Sequence, residues 1–386
     1  MSHIKVQIKV IIYWEVIIMK VIKMLPLIVI ISIMLSGCYN MRPQEDLGII
    51  IGLGYDIENQ GIGYKYKDTS ETFIFKGERK IEHEVLSGRS KSIYSTENEL
   101  QMKFNKKWIT GTELVYLIGE KRARYGIKDI IDGQIRDPMR REIAAIAVSG
   151  EPAEDVYRMN PTSASTMAEQ IRGILNFIYM DNFFPINNEV SEVLKMYYQE
   201  GRKIAMPYME VKEERFQVSG LALFKEDKMI NKVLLDEARL INILRNNDGI
   251  GYLVINTPTN NEYYEAYFKN KNKVKVKVSK ENNKLKYDVF VTLIGELKVD
   301  TVDKKLITKK DVKQIEKAFA EDMKKRLNGE VEKMQKEYHT DWIDLGKYAV
   351  AKYGRQGDYD SDENFCNAVI NVHVNTKISS IGQKKK

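Results

Sequence analysis

One cysteine in this chain has its chemistry written into its neighbours. Residues 24–35, MLPLIVIISIML, form an apolar run shorter than the roughly twenty residues that a bilayer span needs. Lys20 and Lys23 precede it, and Leu35, Ser36, Gly37 and Cys38 close it. That layout is a signal peptide ending in a lipobox. The small Ser36 and Gly37 give a signal peptidase access to the bond before Cys38. The Cys38 thiol accepts a diacylglycerol, and the freed amine accepts an N-acyl chain. Each buried methylene contributes about 0.8 kcal/mol, so two or three chains hold a protein to a membrane without a spanning helix. A spanning helix starting near Ile11 with an incidental cysteine is the other arrangement, but Glu15 and Lys20 interrupt it. Met19 opens a signal peptide of ordinary length, so residues 1–18 read as a start-site artefact and residues 1–37 as the removed segment.

The other reactive residue types do not assemble into a site. Gly52 and Gly54 supply two glycines of a dinucleotide loop, but Ile57 stands where the third belongs, so the run reads as a strand end. Asp358, Asp360 and Asp362 match the first three ligand positions of a calcium loop; Glu363 and Val369 then replace the required glycine and bidentate glutamate, which leaves a mobile acidic loop as the plainer reading. His3, His83, His339 and His373 have no metal-ligand spacing, and His373 falls on the polar face of a strand. Cys366 has no His beside it in sequence and reads as a small buried residue beginning a strand. No catalytic group, metal site or bound cofactor is expected beyond the lipid on Cys38, and with Cys38 acylated no intramolecular disulfide can form.

The elements around these residues alternate. Residues 47–57 and 113–120 read as apolar strands, 96–104 and 123–135 as helices, 142–148 as a strand, and 153–157, 163–179 and 189–198 as helices. The loop 181–188 carries Phe183, Phe184 and Pro185, read as a core plug under the helices rather than an exposed apolar feature. Residues 207–214 shift toward charge and suggest a boundary. Beyond it come a strand at 215–224, a helix at 236–244 and a strand at 252–256. Next is a hairpin whose Lys/Val alternation at 273–279 and Tyr/Val alternation at 286–294 flank Asn282 and Asn283. Val312, Ile315, Phe319, Met323, Leu327, Val331 and Met334 recur at steps of three and four, predicting a long amphipathic helix over 311–338. A second helix follows at 341–353, and a strand by alternation at 370–378. Apart from the Lys384–Lys386 tail there is no low-complexity tract. The expected architecture is α+β and multi-domain: mixed sheets with packed helices, an α/β domain at 39–210, and an α+β region at 215–386 that divides again near 299.

Charge excludes one large class of partner. The chain of 386 residues carries 61 basic and 54 acidic side chains; removing residues 1–37, with four lysines and one glutamate, leaves 57 against 53. A surplus that small and that evenly spread is no footprint for nucleic acid.

The segments in their order resemble the Ger(x)C (GerAC/GerBC-like) spore germination lipoprotein family. Residues 38–56 are similar to its opening, in which a lipidated cysteine leads quickly into a glycine-punctuated strand ending in Asp. SGRS at 87–90, YLIGEKRARYGIKDIID at 116–132, RDPMRR at 136–141 and SGEPAEDVY at 149–157 look like its N-terminal region. VSGLALFKEDKMI at 218–230 and DWIDLGKYA at 341–349 look like the start and end of its C-terminal region. The chain departs at Tyr39, where the family often has Trp, and in a Phe-Gly-rich motif reduced to Asp344-Leu345-Gly346. The resemblance implies a non-enzymatic C subunit of a nutrient germinant receptor, lipid-anchored on the outer face of the spore inner membrane. It also implies two integral membrane partners, an A-type subunit and a transporter-like B-type subunit. Arg136, Asp137 and Arg140 are the candidate partner surface, against a plainer reading as a loop held by local ion pairs. The rival from another class is a lipid-anchored solute-binding protein, which calls for parallel βαβ repeats in both halves.

Overall fold

The glycine-punctuated run forms β1 (Leu47–Asn59), which turns back through β2 (Tyr64–Lys76) and β3 (Lys80–Ser90) as an antiparallel meander. The computed structural model describes residues 43–59, 64–76, 80–245, 249–256, 262–269, 274–282, 284–300 and 307–381, with isolated helical positions upstream, 22–26 being the longest. The lipobox Leu35, Ser36, Gly37 and Cys38, and the tail 384–386, lie outside the described residues. Residues 48–386 form one compact unit.

After β3 come α1 (Ile93–Lys103), capped by the Ser92 hydroxyl, and the short β4 (Lys107–Ile109), which pairs with β1. Next are β5 (Val115–Gly119), α2 (Glu120–Tyr125), α3 (Lys128–Arg136), β6 (Ala145–Ser149), α4 (Ala153–Tyr157), α5 (Met167–Phe177), α6 (Tyr179–Asn182) and α7 (Val190–Tyr198). The single helix expected over 123–135 is split in two because Gly126, at φ 134°, takes a backbone conformation that closes the first helix. Most of the charged stretch expected to be a boundary lies in β7 (Ala205–Lys212). Glu213 and Glu214, both at positive φ, turn it tightly into β8 (Arg215–Lys225), which pairs in turn with β9 (Lys228–Leu234).

These strands make one sheet in the order β3-β2-β1-β5-β6-β7-β8-β9, parallel from β1 through β7 and antiparallel on both flanks. Alternate residues of the central strands face opposite helix layers. Tyr116, Ile118, Ile146 and Val148 meet α2, α3 and α7, while Val115, Leu117, Ala145 and Ala147 meet α4 and α5. Burial on both faces is why these strands read as continuous apolar runs. The IGLG run serves the same packing: a Cβ on Gly54 would lie 2.6 Å from the Ala153 Cβ, and one on Gly52 would lie 2.8 Å from the Tyr157 ring. These glycines bring helices close to the sheet and cradle no phosphate.

The second half opens with α8 (Leu235–Leu244), buried throughout its last five residues, and continues as β10 (Ile250–Asn256), β11 (Tyr263–Lys269), β12 (Lys275–Glu281) and β13 (Lys284–Asp300). The expected hairpin is β12 with β13, paired from Glu281↔Lys284 to Lys275↔Phe290. Then α9 (Lys309–Lys333) starts at a Thr308/Asp311 capping box and runs into a π-helical turn at Met334–Tyr338. Ile315, Phe319, Met323, Leu327, Val331 and Met334 are all buried against the sheet, so the three-and-four spacing is the contact stripe. The expected helix at 341–353 begins later, as α10 (Gly346–Tyr353), because the Asp341 carboxylate accepts the amides of Ile343 and Gly346 and holds the intervening residues in a turn. The chain closes with α11 (Asp362–Asn367) and β14 (Val369–Ser380), which runs parallel to β13. Phe183 and Phe184 are fully buried in this second core, as plugs. The fold is α+β with mixed sheets, as expected. Among the described residues no helix is long and apolar enough to cross a membrane.

Candidate functional site

The segment 136–141 links α3 to β6, and the structure separates its residues. Arg136 is exposed. Asp137 turns back to accept the Met139 amide on Oδ1 at 3.0 Å. Arg140 does not belong to a surface, which corrects the expectation from sequence: its side chain is 3% exposed and pairs with Glu97 on α1 and with Asp137, 3.4 Å away. Tyr55, Tyr116 and Glu113 lie around it. Burial works against the Arg140 charge, but the facing Tyr55 and Glu97 hold the guanidinium well above its ordinary range. Burial also pushes Tyr116 up to about 12, with Glu113 adding to the effect, and raises Glu113 itself. A buried arginine thus ties the 136–141 loop to α1 and to the sheet. Breaking such a pair on one side typically costs 3–5 kcal/mol. The residues this anchoring leaves outside are apolar: Ile135, Met139 and Ile143 are 51%, 63% and 54% exposed.

At the opposite end of the sheet, the carboxyl ends of β1, β5 and β6 open into a cleft of about 1340 Å³. The cleft lies outside the carboxyl ends of parallel strands, the side on which open α/β sheets accept ligands, although the order β1-β5-β6-β7 runs in one direction and has no switch point. Asp56, Glu120 and Glu151 line it opposite Lys67, Lys121 and Arg124. Asp56 accepts the amides of Ala153 at 3.0 Å and Glu154 at 3.2 Å, yet burial dominates and pushes its carboxyl up to about 6. Lys67 lies 3.1 Å from Glu58 and 2.5 Å from Glu154. Burial opposes ionisation of Glu154, but Lys67 and Arg158 outweigh it and draw that carboxyl down to about 2. Glu120 takes the Tyr208 hydroxyl and, at 3.3 Å, Lys232, whose ammonium is 2.7 Å from the same hydroxyl. Charges of both signs alternate round the opening with no imidazole, thiol or aliphatic hydroxyl in the lining. Such a lining suits holding a polar molecule.

A third polar cluster joins the two sheets. Asp344, at positive φ, faces Arg245 at 3.2 Å and Arg202 at 3.3 Å, and accepts the Lys203 amide at 3.1 Å. Arg245 also donates to the carbonyls of Trp342 at 2.7 Å and Lys203 at 3.0 Å, and the Trp342 indole donates to the Phe224 carbonyl at 3.0 Å. The DWIDLG segment is therefore a clasp between the α7–β7 connection and the end of α9. Asp360 and Asp362, two of the three calcium-loop candidates, serve the same junction. Asp360 accepts the Gly201 amide at 3.0 Å, and Asp362 meets Lys225 at 2.9 Å and Lys203 at 3.4 Å. Among the described residues no group of three His, Cys, Asp or Glu side chains is placed to hold a metal. Cys366 needs correction as well. It lies on α11 and not in a strand, is half-buried, and has its Sγ 4.0 Å from His339 Nδ1, because the π-helical turn folds that ring back. His373 is on the outer side of β14 and meets Asp288 at 2.9 Å.

Sequence reasoning missed Asp56, Tyr208 and the Arg245–Asp344 pair. The signal for Arg245 was a charged residue directly after the mainly apolar last turns of a helix, Leu240 to Leu244, where a charge that is buried with them must find a partner.

The geometry has counterparts among known proteins. The family described as spore germination protein N-terminal domain matches residues 40–211, and the one described as spore germination B3/GerAC like, C-terminal, matches residues 219–382. The spore germination protein GerQC of Bacillus cereus is 21% identical over 362 residues, covering 92% of this chain and 98% of its own. Spore germination protein B3 of Bacillus subtilis (strain 168) is 21% identical over 330 residues, covering 81% of this chain and 85% of its own. Among solved structures, that of the GerBC protein has the same fold, with a TM-score of 0.55 and 17% identity over 85% of this chain and 97% of the other.

Proposed function

The chain belongs to the spore germination B3/GerAC-like family, and from that premise we propose that it is the lipid-anchored, non-catalytic C subunit of a nutrient germinant receptor. Its place is the outer face of the spore inner membrane, beside an A-type and a transporter-like B-type membrane subunit. The observation that carries this reading is the pair of family matches, which in order span residues 40–211 and 219–382 and begin two residues after Cys38. Lipid on Cys38 keeps the folded unit next to its membrane partners, so that each binding step after the first is intramolecular and runs at high effective concentration. The second half supports this over a solute-binding protein: its sheet is antiparallel from β10 through β12, with one parallel strand added, and is not a second βαβ lobe.

Cys38→Ala tests the reading. The expected result is loss of lipid label, release of the protein from spore membranes, and a germination defect confined to particular nutrients. Loss of label with normal germination to every nutrient would refute the receptor role, and persistent membrane attachment without label would refute the lipid anchor.

A further inference from the structure

We propose that the end of the nine-stranded sheet where β1, β5 and β6 begin is a lipid-facing surface, and that Met139, Ile143 and Ile135 enter the membrane interface there, with Arg136 and Arg141 at the phosphates. The inference rests on the reading that Cys38 carries lipid, and it deepens that reading by giving the folded unit a fixed orientation.

The placement follows from the strand register. Gly52 is level with Val115, and Val115 with Ala145, so β5 and β6 start side by side while β1 begins five residues further toward the same end. The loop 137–144 is fixed at that end. A Cβ on Gly111, at φ 85°, would lie 2.4 Å from the Met139 carbonyl, Thr112 bonds the Ile50 carbonyl at 2.8 Å, and Arg141 reaches the Thr112 carbonyl at 3.4 Å. Arg140, buried among Glu97 and Asp137, pins the loop from within. Met139 and Ile143 therefore project from a held backbone, more than half exposed. Arg136 is exposed and Arg141 partly so.

The occupant follows from the tether. Only residues 39–46 separate Cys38 from β1. At about 3.3–3.6 Å per residue, that chain reaches at most roughly 30 Å even when fully extended. An acylated Cys38 thus keeps the start of β1 within that reach of the lipid, and in the proposed orientation the charged cleft at the other ends of the strands faces away. Exposed Met and Ile flanked by arginines match the acyl boundary and the anionic headgroups. Without a membrane beside them, three large apolar side chains in a nine-residue stretch would face water.

The test uses the full lipid-bearing chain in a Cys366→Ser background, reconstituted alone into phosphatidylglycerol/phosphatidylcholine vesicles that carry nitroxide-labelled lipid. Met139→Cys, Ile143→Cys and, in the cleft, Lys121→Cys are each labelled with an environment-sensitive fluorophore. All three positions are on the surface, so folding is preserved. The expected result is that labels at 139 and 143 shift to the blue and are quenched several-fold more than the label at 121. Equal quenching at all three positions, in protein that floats with the vesicles and carries lipid on Cys38, overturns the orientation and leaves the anchor intact. Quenching at 139 and 143 only after the membrane subunits are added overturns the lipid as occupant and makes the surface a protein interface. Protein that fails to float, and whose Cys38 peptide carries no lipid mass, removes the anchor and the orientation together.

Discussion

The two sheets of this protein are covered differently. The nine-stranded sheet has helices on both faces, so its central strands show no alternation of polar and apolar residues. The five-stranded sheet has helices on one face, where Leu253, Ala266, Phe268, Val289, Val291 and Leu293 are buried. Its other face shows Tyr252, Val254, Tyr263 and His373 to solvent. The contrast teaches where rigidity is invested: the first sheet, sealed on both sides, fixes a cleft at one end and the 136–141 loop at the other. The second is held to it by α8, by a core shared with Leu221, Leu223 and Val233, and by the Asp344 clasp.

The largest effect should come from cutting that clasp. Arg245→Ala removes the buried guanidinium facing Asp344, leaves the Trp342 and Lys203 carbonyls without that donor while Arg202 still faces the carboxylate, and is expected to cost about 3 kcal/mol. Chemical unfolding should then show the five-stranded sheet melting before the nine-stranded one; a single transition at the wild-type midpoint would mean that the clasp contributes nothing to coupling. Leu327→Ala, in the stripe of α9, should cost about 2–5 kcal/mol and act on the second sheet first, read by hydrogen exchange in β13 and β14.

Acidity separates the halves less sharply. A carboxyl at about 6 in the fold, as at Asp56, against an ordinary value of 3.8, binds its proton more tightly folded than unfolded. It therefore stabilises the fold below pH 4, and that contribution is lost as pH rises through about 6. Over that window the loss amounts to roughly 3 kcal/mol. Asp341 is also pushed up to about 6 by burial and should add a similar slope from the second half. Asp56→Asn, which keeps an amide acceptor, should flatten the Asp56 part of the slope between pH 4 and pH 6 in denaturant midpoints while leaving the Asp341 part. The smallest effects belong at the edges. Thr308→Ala should cost about 1 kcal/mol through the lost cap of α9, and Tyr252→Ala on the open face should cost less than Phe268→Ala, whose ring is buried against Phe319.

How legible each region was in the sequence followed from the same difference in covering. The Lys/Val alternation of β12 and the stripe of α9 could be read directly, because one face of each is wet and the other dry. Phe183 and Phe184 were legible as plugs because two adjacent phenylalanines in a polar loop need a core. β7 was not legible: Pro207, Glu210 and Lys212 look like a linker, and their place beside β6 is set by a pairing that spans only Val148↔Tyr208 and Ser149↔Met209. Gly126 and Asp344 were missed because their positive φ values come from tertiary contacts. Arg140 could be recognised as part of a local ion-pair loop, but its burial depends on Glu97, far away in sequence, and charge alone did not reveal it.

The hairpin from β7 to β8 has a consequence for how relatives of this chain could be recombined. The two family matches part between residues 211 and 219, yet the sheet crosses that gap without a break, since Tyr208 pairs with Gly220 and Lys212 with Arg215. A fragment ending at 212 would expose the bare edge of β7 to any passing strand, and one starting at 215 would carry β8 and β9 as an orphan ribbon. The halves are therefore not interchangeable cassettes. A chimera of two such chains should fold only if its seam falls after β9, with the first parent supplying every strand of the larger sheet.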